Sequence, residues 1–215
     1  MRPLAVAHRA GNSLAGLRAA HELGVDVVEC DVHHHRGRLE VRHLKTAGPL
    51  PFLWDRWELA SARAPRLGLA ELLDAGRHGT TFMLDLKGRR TGAGVAVARL
   101  LHEVAPGSPV LACGRHWPSV AAAATLPWVR PVLSARNRAE LALLHRRLED
   151  GPAVHGVSVH RDLLDPATVT RLAARTEVVM TWPVNDLASL DTMQARGVTG
   201  IISDEPEVLA ELLRR

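Results

Sequence analysis

Short apolar runs rich in Val, Ile and Leu alternate along the chain with segments of helical periodicity, and this alternation constrains the fold most. The strand-like runs lie at 4–8, 25–32, 82–87, 110–113, 129–134, 155–160, 177–182 and 200–203. The helical patterns lie at 13–23, 69–76, 93–104, 117–126, 138–148, 166–175, 186–197 and 205–215. Eight such units in 215 residues predict an α/β protein with one small (β/α)8 or TIM barrel domain over residues 1–215. An open doubly wound sheet is the alternative, although no glycine-rich dinucleotide turn supports it.

One segment breaks this alternation. Between Asp31 and His43 the chain is too short for a crossover helix, which needs about a dozen residues. Residues 39–43 are therefore expected to run back as the second arm of a β-hairpin that extends strand two at the C-terminal mouth of the barrel. That return brings His43 close to Glu29 and Asp31, which share one face of their strand.

Two features near the hairpin are less specific. The run His33, His34 and His35 alternates between strand faces, so these residues cannot chelate one ion together. We expect solvated hairpin histidines, with His33 on the face of the acids. The segment 44–68, with Trp54 and Trp57, has no clear periodicity and is either a lid over the mouth or a packed insertion.

Composition excludes several classes of protein. The net charge of +4 comes from basic residues that are spread along the chain rather than clustered with aromatics, so no nucleic-acid surface is predicted. No apolar run is long enough for a signal-peptide core or a membrane span, and we expect a soluble, cytoplasmic protein. The two cysteines, Cys30 and Cys113, are expected to be free buried thiols.

Polar side chains cluster where the predicted strands end, which is where barrel enzymes place functional groups. The candidates at these ends and in the hairpin are His8, Arg9, Glu29, Asp31, His43, Asp85, Lys87 and Trp182. Three carboxylates without thiolates suit a hard divalent cation such as Mg²⁺, Ca²⁺ or Mn²⁺. Imidazoles and cationic side chains around such an ion suit a phosphate ester, because they offset its charge and transfer protons.

Each candidate also has a structural interpretation. His8 alone fits a hydrogen-bonded structural histidine, Glu29 and Asp31 could pair with arginines, and Asp85 could pair with Lys87 on one strand face. A structural explanation is weaker for the whole set than for any one residue. It must explain why the mouth positions of the first three units all carry a charge or an imidazole.

The same residues resemble the motifs of the glycerophosphodiester phosphodiesterase family, whose members are TIM barrels of the phosphatidylinositol-phosphodiesterase-like type. The matching segments are "HRAGNS" at 8–13, "ECD" at 29–31, "VRHLK" at 41–45, "DLK" at 85–87, "WPVN" at 182–185 and "GVTGIISDEP" at 197–206. Each motif is weak alone, but their order, spacing and coverage of the whole chain make the resemblance specific.

The resemblance implies a role for each candidate residue. His8 and His43 would be the general acid/base pair. Glu29, Asp31 and Asp85 would hold a divalent cation, Mg²⁺ or Ca²⁺ with Mn²⁺ possible. Phosphate would bind Arg9 and Lys87, and Trp182 would line the substrate pocket. The implied reaction is metal-dependent hydrolysis of a small-molecule glycerophosphodiester to glycerol 3-phosphate and an alcohol.

The chain departs from the family pattern at four positions. Ala10 replaces a glycine, Gly11 replaces a glutamate, Leu44 replaces the aspartate after the second histidine, and Asp85 shortens a metal-binding glutamate. The segment after the hairpin is also shorter than in many relatives. Two other functions therefore stay open: a lyase of the same barrel type that releases a cyclic phosphate, and a relative that binds phosphodiesters without cleaving them.

Overall fold

The computed structural model describes residues 2–47, 50–55, 58–76 and 79–215. Its strands are β1 Leu4–Ala7, β2 Val27–His35, β3 Arg38–Val41, β4 Lys45–Thr46, β5 Phe52–Trp54, β6 Leu59–Ser61, β7 Phe82–Leu86, β8 Val110–Gly114, β9 Val129–Ala135, β10 Gly156–His160, β11 Val178–Trp182 and β12 Gly200–Ser203. Its α-helices are α1 Leu14–Leu23, α2 Leu69–Ala75, α3 Gly92–Val104, α4 Trp117–Ala123, α5 Arg138–Asp150, α6 Pro166–Ala173, α7 Leu187–Ala195 and α8 Pro206–Arg214. All eight predicted strands and all eight predicted helices are present.

Eight of the strands form a closed parallel barrel, so the predicted α/β TIM barrel is confirmed and the open sheet is wrong. Their order around the ring is β1, β12, β11, β10, β9, β8, β7 and β2, and parallel pairing of β1 with β2 closes it. Closure leaves no open edge within the ring. It also places the first and last strands side by side, with Ala7 opposite Ser203.

Side-chain alternation along each strand divides the core into two layers. The outer layer packs the strands against the helices and includes Val28, Cys30 and Leu84. The inner layer fills the barrel with residues such as Met83 and Met180. Glu29 and Asp31 alternate with the outer-layer residues of β2 and therefore point into the barrel, above its apolar filling. Both predicted free thiols are buried and unpaired.

Four of the helices begin at N-cap residues that lie at or just before the start of the predicted helical segments. The side chains of Ser13, Asn137, Asp165 and Asp186 each accept a hydrogen bond from a backbone N–H in the first turn of the helix that follows. Such N-caps satisfy amide groups that have no partner within the helix. None of the helices in the described part of the chain is long and apolar enough to cross a membrane.

The predicted hairpin is confirmed as β2 and β3, which pair antiparallel with His33 opposite Glu40. Its two-residue turn is Arg36–Gly37, with φ of 50° and 77°. Positive φ at both residues is the twist that a tight hairpin requires, and glycine meets it without strain. The prediction of solvated histidines holds only in part: His34 is exposed, whereas His33 and His35 are half-buried, each with a buried Nε2 that has no hydrogen-bond partner among the described residues.

The segment 44–68 forms a small antiparallel sheet of β4, β5 and β6, which we call the insertion sheet. Leu53 in its central strand is buried, while its neighbour Trp54 is exposed. The segment thus packs one face against the protein and turns the other outward. Trp57 lies outside the described residues.

Candidate active site at the barrel mouth

Three carboxylates converge inside the mouth of the barrel. Glu29 and Asp31 are two residues apart on β2, and Asp85 stands opposite Asp31 in the register of β2 with β7. One oxygen of each lies within 4.8 Å of an oxygen of the other two. Glu29 and Asp31 are almost fully buried, at 2% and 1% exposure. The predicted ligand set is therefore brought together by one strand and its neighbour.

Backbone and amide groups after β1 hold two of these carboxylates. Glu29 Oε2 accepts a 2.6 Å hydrogen bond from the backbone N–H of Arg9, which has a left-handed φ of 56°. Asn12 makes two hydrogen bonds to Asp31: its Nδ2 donates to Oδ2, and its Oδ1 accepts from the backbone N–H, each at 2.8 Å. A left-handed conformation is uncommon for arginine and marks a locally constrained loop.

Lys87 lies among the acids rather than projecting freely from the mouth. Its Nζ donates a hydrogen bond to Asp85 Oδ2 and lies 2.5 Å from Asp31 Oδ1. Burial opposes the charged ammonium, but the carboxylates of Asp85 and Asp31 outweigh it and raise the pKa of Lys87 above its usual range. Conversely, burial opposes ionisation of Asp31, but the hydrogen bond from His43 and the charge of Lys87 lower its pKa.

The donor set fits a hard divalent cation. Three carboxylates lie together around the Lys87 ammonium, and burial with the charge of Asp31 raises the pKa of Glu29 to about 7, as expected where carboxylates are crowded together. The buried Oδ1 of Asp31 lies 2.5 Å from Lys87 Nζ, so Lys87 is the cationic group that this oxygen faces in the protein. Oxygen ligands and excess negative charge are what Mg²⁺ and Ca²⁺ require.

His8 is held by a carboxylate from the last strand–helix loop. Its Nδ1 lies 2.8 Å from Asp204 Oδ1, while its Nε2 lies 4.0 Å from Glu29 Oε2. Asn185 in turn donates to Asp204 Oδ2 at 3.1 Å. Burial opposes protonation of His8, but the hydrogen bond to Asp204 and the charge of Glu29 outweigh it and raise the pKa of His8. The pKa of Asp204 falls to about 2, chiefly because of its hydrogen bond with His8.

His43 returns from the hairpin to the acids, as predicted. Its Nδ1 lies 3.2 Å from Asp31 Oδ2. Its Nε2 faces Asp55, which follows β5 of the insertion sheet, with 3.9 Å between that nitrogen and Asp55 Oδ2. The imidazole thus lies between a carboxylate of the barrel and a carboxylate of the insertion.

The two remaining candidates lie at the edge of the same mouth. The Arg9 side chain is 42% exposed, and its Nε lies 4.0 Å from Asp31 Oδ2. Trp182, at the end of β11, is half-buried and meets the ring of His160 edge-on, with 5.2 Å between the ring centroids. All eight predicted site residues therefore lie at the C-terminal mouth.

Four contributors to the site were not predicted: Asn12, Asp55, Asn185 and Asp204. Asn12, Asn185 and Asp204 lie inside the matched segments "HRAGNS", "WPVN" and "GVTGIISDEP", so a polar residue within a matched motif was the available signal. Asp55 lies in the segment without periodicity and carried no such signal.

Two departures from the family pattern have a structural counterpart. Gly11 packs so closely on β2 that a Cβ there would lie 2.8 Å from Cys30 Cβ, and no side chain fits without a shift. Leu44 is buried at 6% exposure, so the position that carries an aspartate in the family pattern holds a buried apolar side chain here. The carboxylates that face the His43 ring come instead from Asp31 and Asp55.

Comparison with known proteins gave matches in structure only. No protein-family model matches the chain, and no curated protein matches it in sequence. A phosphodiesterase from Oleispira antarctica, solved in complex with the product sn-glycerol-3-phosphate, is 19% identical, with a TM-score of 0.78 over 100% of this chain and 98% of that chain. The glycerophosphodiester phosphodiesterase from Thermotoga maritima is 15% identical, with a TM-score of 0.76 over 99% of both chains.

A third structure agrees with these two. The glycerophosphodiester phosphodiesterase from Parabacteroides distasonis is 18% identical, with a TM-score of 0.74 over 100% of this chain and 98% of that chain. The likeness covers each protein almost end to end, as the motif resemblance implied. The chain therefore has, over its whole length, the barrel fold of the solved glycerophosphodiester phosphodiesterases.

Proposed function

We propose that the protein is a metal-dependent phosphodiesterase that hydrolyses glycerophosphodiesters to glycerol 3-phosphate and an alcohol. One observation carries the proposal: two imidazoles, His8 and His43, each lie within 4.0 Å of one of the two buried carboxylates of β2, and each also faces a further carboxylate of its own. The fold shared with phosphodiesterases, one of them solved with sn-glycerol-3-phosphate, supports the substrate class. A cytoplasmic location is part of the proposal as a prediction from the sequence.

Glu29, Asp31 and Asp85 would hold the cation, Mg²⁺ or Ca²⁺, with Mn²⁺ also compatible with oxygen ligands. When bound, a divalent ion polarises a phosphoryl oxygen and offsets the charge that develops in the transition state. An oxygen of Asp85 lies within 4.8 Å of an oxygen of each of the other two carboxylates despite its shorter side chain, which supports its place among the proposed ligands.

The two histidines would exchange protons with the substrate. An ionised carboxylate only accepts hydrogen bonds, so Asp204 keeps the proton of His8 on Nδ1 and leaves Nε2 for proton transfer. Asp31 likewise holds Nδ1 of His43. One imidazole would take the proton of the attacking oxygen while the other protonates the leaving alcohol. Attack by water gives glycerol 3-phosphate directly, whereas attack by the neighbouring glycerol hydroxyl gives a cyclic phosphate that a water must then open, with the two imidazoles exchanging roles. Either order satisfies the geometry.

The cationic and aromatic residues would position the diester. Arg9, with its exposed guanidinium at the mouth, would bind phosphate oxygens. Lys87 would also bind phosphate oxygens when a cation bound to the carboxylates neutralises part of the negative charge that Lys87 now faces. Trp182 would form one wall of the pocket beside His160.

The test is an assay of the purified protein with Mg²⁺, Ca²⁺ or Mn²⁺ on glycerophosphocholine, glycerophosphoethanolamine and glycerophosphoglycerol. We expect turnover that a chelator abolishes and the cation restores. His8→Gln and His43→Gln are each expected to lower kcat by about a hundredfold or more. His102→Gln, a change of an exposed histidine on α3, is the matched control and should keep full activity.

Phosphorus NMR of the products distinguishes the alternatives. Glycerol 3-phosphate from the first turnovers supports hydrolysis, whereas a cyclic phosphate that accumulates would identify a lyase. Cation binding by a folded protein without turnover of any diester would identify a binding protein and overturn the proposal.

A further inference from the structure

The outward face of the insertion sheet carries apolar side chains in an unusual position. Among the described residues, six large hydrophobic side chains are exposed, and three of them, Leu50, Trp54 and Leu59, lie in the segment 44–68. The same segment contains Phe52, Trp54 and Trp57, three of the seven aromatic residues of the chain. Exposed apolar residues scattered singly need no explanation, whereas a concentration of them beside a candidate site does.

Strand register places part of this set on one face. Trp54 is opposite Leu59 in the pairing of β5 with β6 and opposite Lys45 in the pairing of β4 with β5. Residues directly opposite in antiparallel strands point to the same side. Leu53, whose side chain points to the other side, is buried at 1% exposure, whereas Trp54 and Leu59 are 43% and 69% exposed. We call Lys45, Trp54 and Leu59 the outward triplet.

The charge of this face indicates what would cover it. The Lys45 ammonium lies over the Trp54 ring, 5.4 Å from its centroid, so a cation borders the apolar patch. In sequence, the segment 44–68 has four basic residues, Lys45, Arg56, Arg63 and Arg66, against two acidic residues, Asp55 and Glu58, and the pairing of Lys45 with Trp54 places Lys45 on the outward face. Tryptophan, leucine and basic side chains together are typical of surfaces that enter the interface of an anionic bilayer.

We propose that the outward triplet docks the barrel mouth on an anionic phospholipid surface. The outward triplet lies beside the barrel mouth, because Asp55 directly follows Trp54 and faces His43 of the candidate site. This location supports docking of the mouth on a lipid surface. Docking through this face would hold the mouth close to the lipid headgroups. The inference concerns the surface of the insertion sheet and does not depend on the reaction proposed for the site.

The experiment is co-sedimentation of the full chain with vesicles of phosphatidylcholine alone and of phosphatidylcholine mixed with phosphatidylserine. We expect binding to the mixed vesicles that weakens as salt is added. The double variant Trp54→Ser/Leu59→Ser should lose about tenfold or more in apparent affinity, because it removes the apolar part of the triplet. Lys45→Glu should lose about tenfold at low salt, since it reverses one charge.

The matched control is Leu143→Ser/Leu187→Ser, which removes two exposed leucines, each about half exposed, from helices outside the insertion. Its vesicle binding should equal that of the unmodified protein. Far-UV circular dichroism of Trp54→Ser/Leu59→Ser should match that of the unmodified protein, which reports an intact fold without reference to activity. This control and the vesicle assay are read separately, so loss of the proposed reaction would leave the docking test intact.

Three results would overturn the proposal. The first is no binding to mixed vesicles above that to phosphatidylcholine alone. The second is equal binding by the triplet variant and the unmodified protein. The third is a dimer in solution that the triplet variant converts to a monomer, which would assign this face to a second copy of the chain.

Discussion

Nδ1 of His8 lies 2.8 Å from Oδ1 of Asp204, although 196 positions separate the two residues in the chain. Closure of the barrel produces this contact, because β1 pairs with β12 and places the ends of the two strands side by side. The contact orients the imidazole and determines which of its nitrogens faces Glu29. It also makes Asp204 the first target for a test of the site.

Asp204→Asn is expected to lower kcat by about tenfold to a hundredfold with little change in KM, because it removes the charge that holds the His8 tautomer while keeping the size of the side chain. Steady-state kinetics on glycerophosphocholine with the activating cation would measure the effect. The control is Asp191→Asn, a change of an exposed carboxylate paired with Arg215. An unchanged kcat in Asp204→Asn would exclude a positioning role for this residue.

Asp85 is the proposed cation ligand at which this chain departs from the family pattern. If Asp85 binds the cation, Asp85→Asn should weaken cation affinity by about tenfold or more, or 1.4 kcal/mol and above, because the charge is lost at constant size. Asp85→Glu should keep or raise both affinity and activity, since it restores the longer acid. Calorimetric titration with Mg²⁺, Ca²⁺ and Mn²⁺ measures the affinity.

The hydrogen bond from Lys87 provides the competing interpretation of Asp85. If that ion pair is its only role, Asp85→Asn would change the free energy of unfolding and leave the cation titration unmoved. Chemical denaturation of the same variants without added cation separates the two roles. A stability change alone would remove Asp85 from the ligand set.

Asp55, which follows β5 of the insertion sheet, is expected to assist proton transfer by His43. Asp55→Asn should lower kcat by about threefold to tenfold, because the charge near Nε2 of the imidazole is lost. Asparagine keeps the side-chain oxygen that accepts a 2.8 Å hydrogen bond from the backbone N–H of Glu58, so the local turn is retained. Kinetics and a melting curve together test this, and a lower melting temperature with unchanged kcat would contradict it.

Asp26 ties the loop before β2 to β1, far from the candidate site. Its Oδ2 accepts from the backbone N–H of Ala5 at 2.7 Å and from Arg2 Nη1 at 2.5 Å. Burial opposes the charge, but the bonds from Arg2 and Ala5 outweigh it and lower the pKa of Asp26 below 3.8. We therefore expect Asp26→Asn to reduce the free energy of unfolding at pH 7 by about 1 kcal/mol.

The sign of the pH dependence follows from the lowered pKa of Asp26. The stabilisation is complete above the unfolded-state pKa of 3.8 and is lost as the pH falls through the lower folded-state value. The stability difference between Asp26→Asn and the unmodified protein should thus shrink below about pH 4. Urea unfolding at neutral and acid pH measures this difference. The control is Glu103→Gln, a change of an exposed carboxylate on α3, which should leave the free energy of unfolding unchanged at both pH values. An equal deficit at both pH values would show that the charge of Asp26 contributes nothing.

The sequence by itself was sufficient for the barrel, the hairpin and the eight predicted mouth residues. Strands and helices have readable periods, and the hairpin followed from a distance along the chain that no helix can bridge. Glu29 and Asp31 share a face because they are two positions apart on one strand. These features depend on neighbours in sequence, so pattern and spacing determine them.

Only the tertiary structure decided which groups satisfy the charges of the mouth. Pairing of Lys87 with Asp31 depends on the register of β2 with β7, and the contact of His8 with Asp204 depends on ring closure. The insertion sheet was also undetectable, because strands of two or three residues are too short to show a period. The contact of Asp55 with His43 depends on how the insertion sheet packs on the hairpin. The spacing of residues in the sequence does not determine that packing.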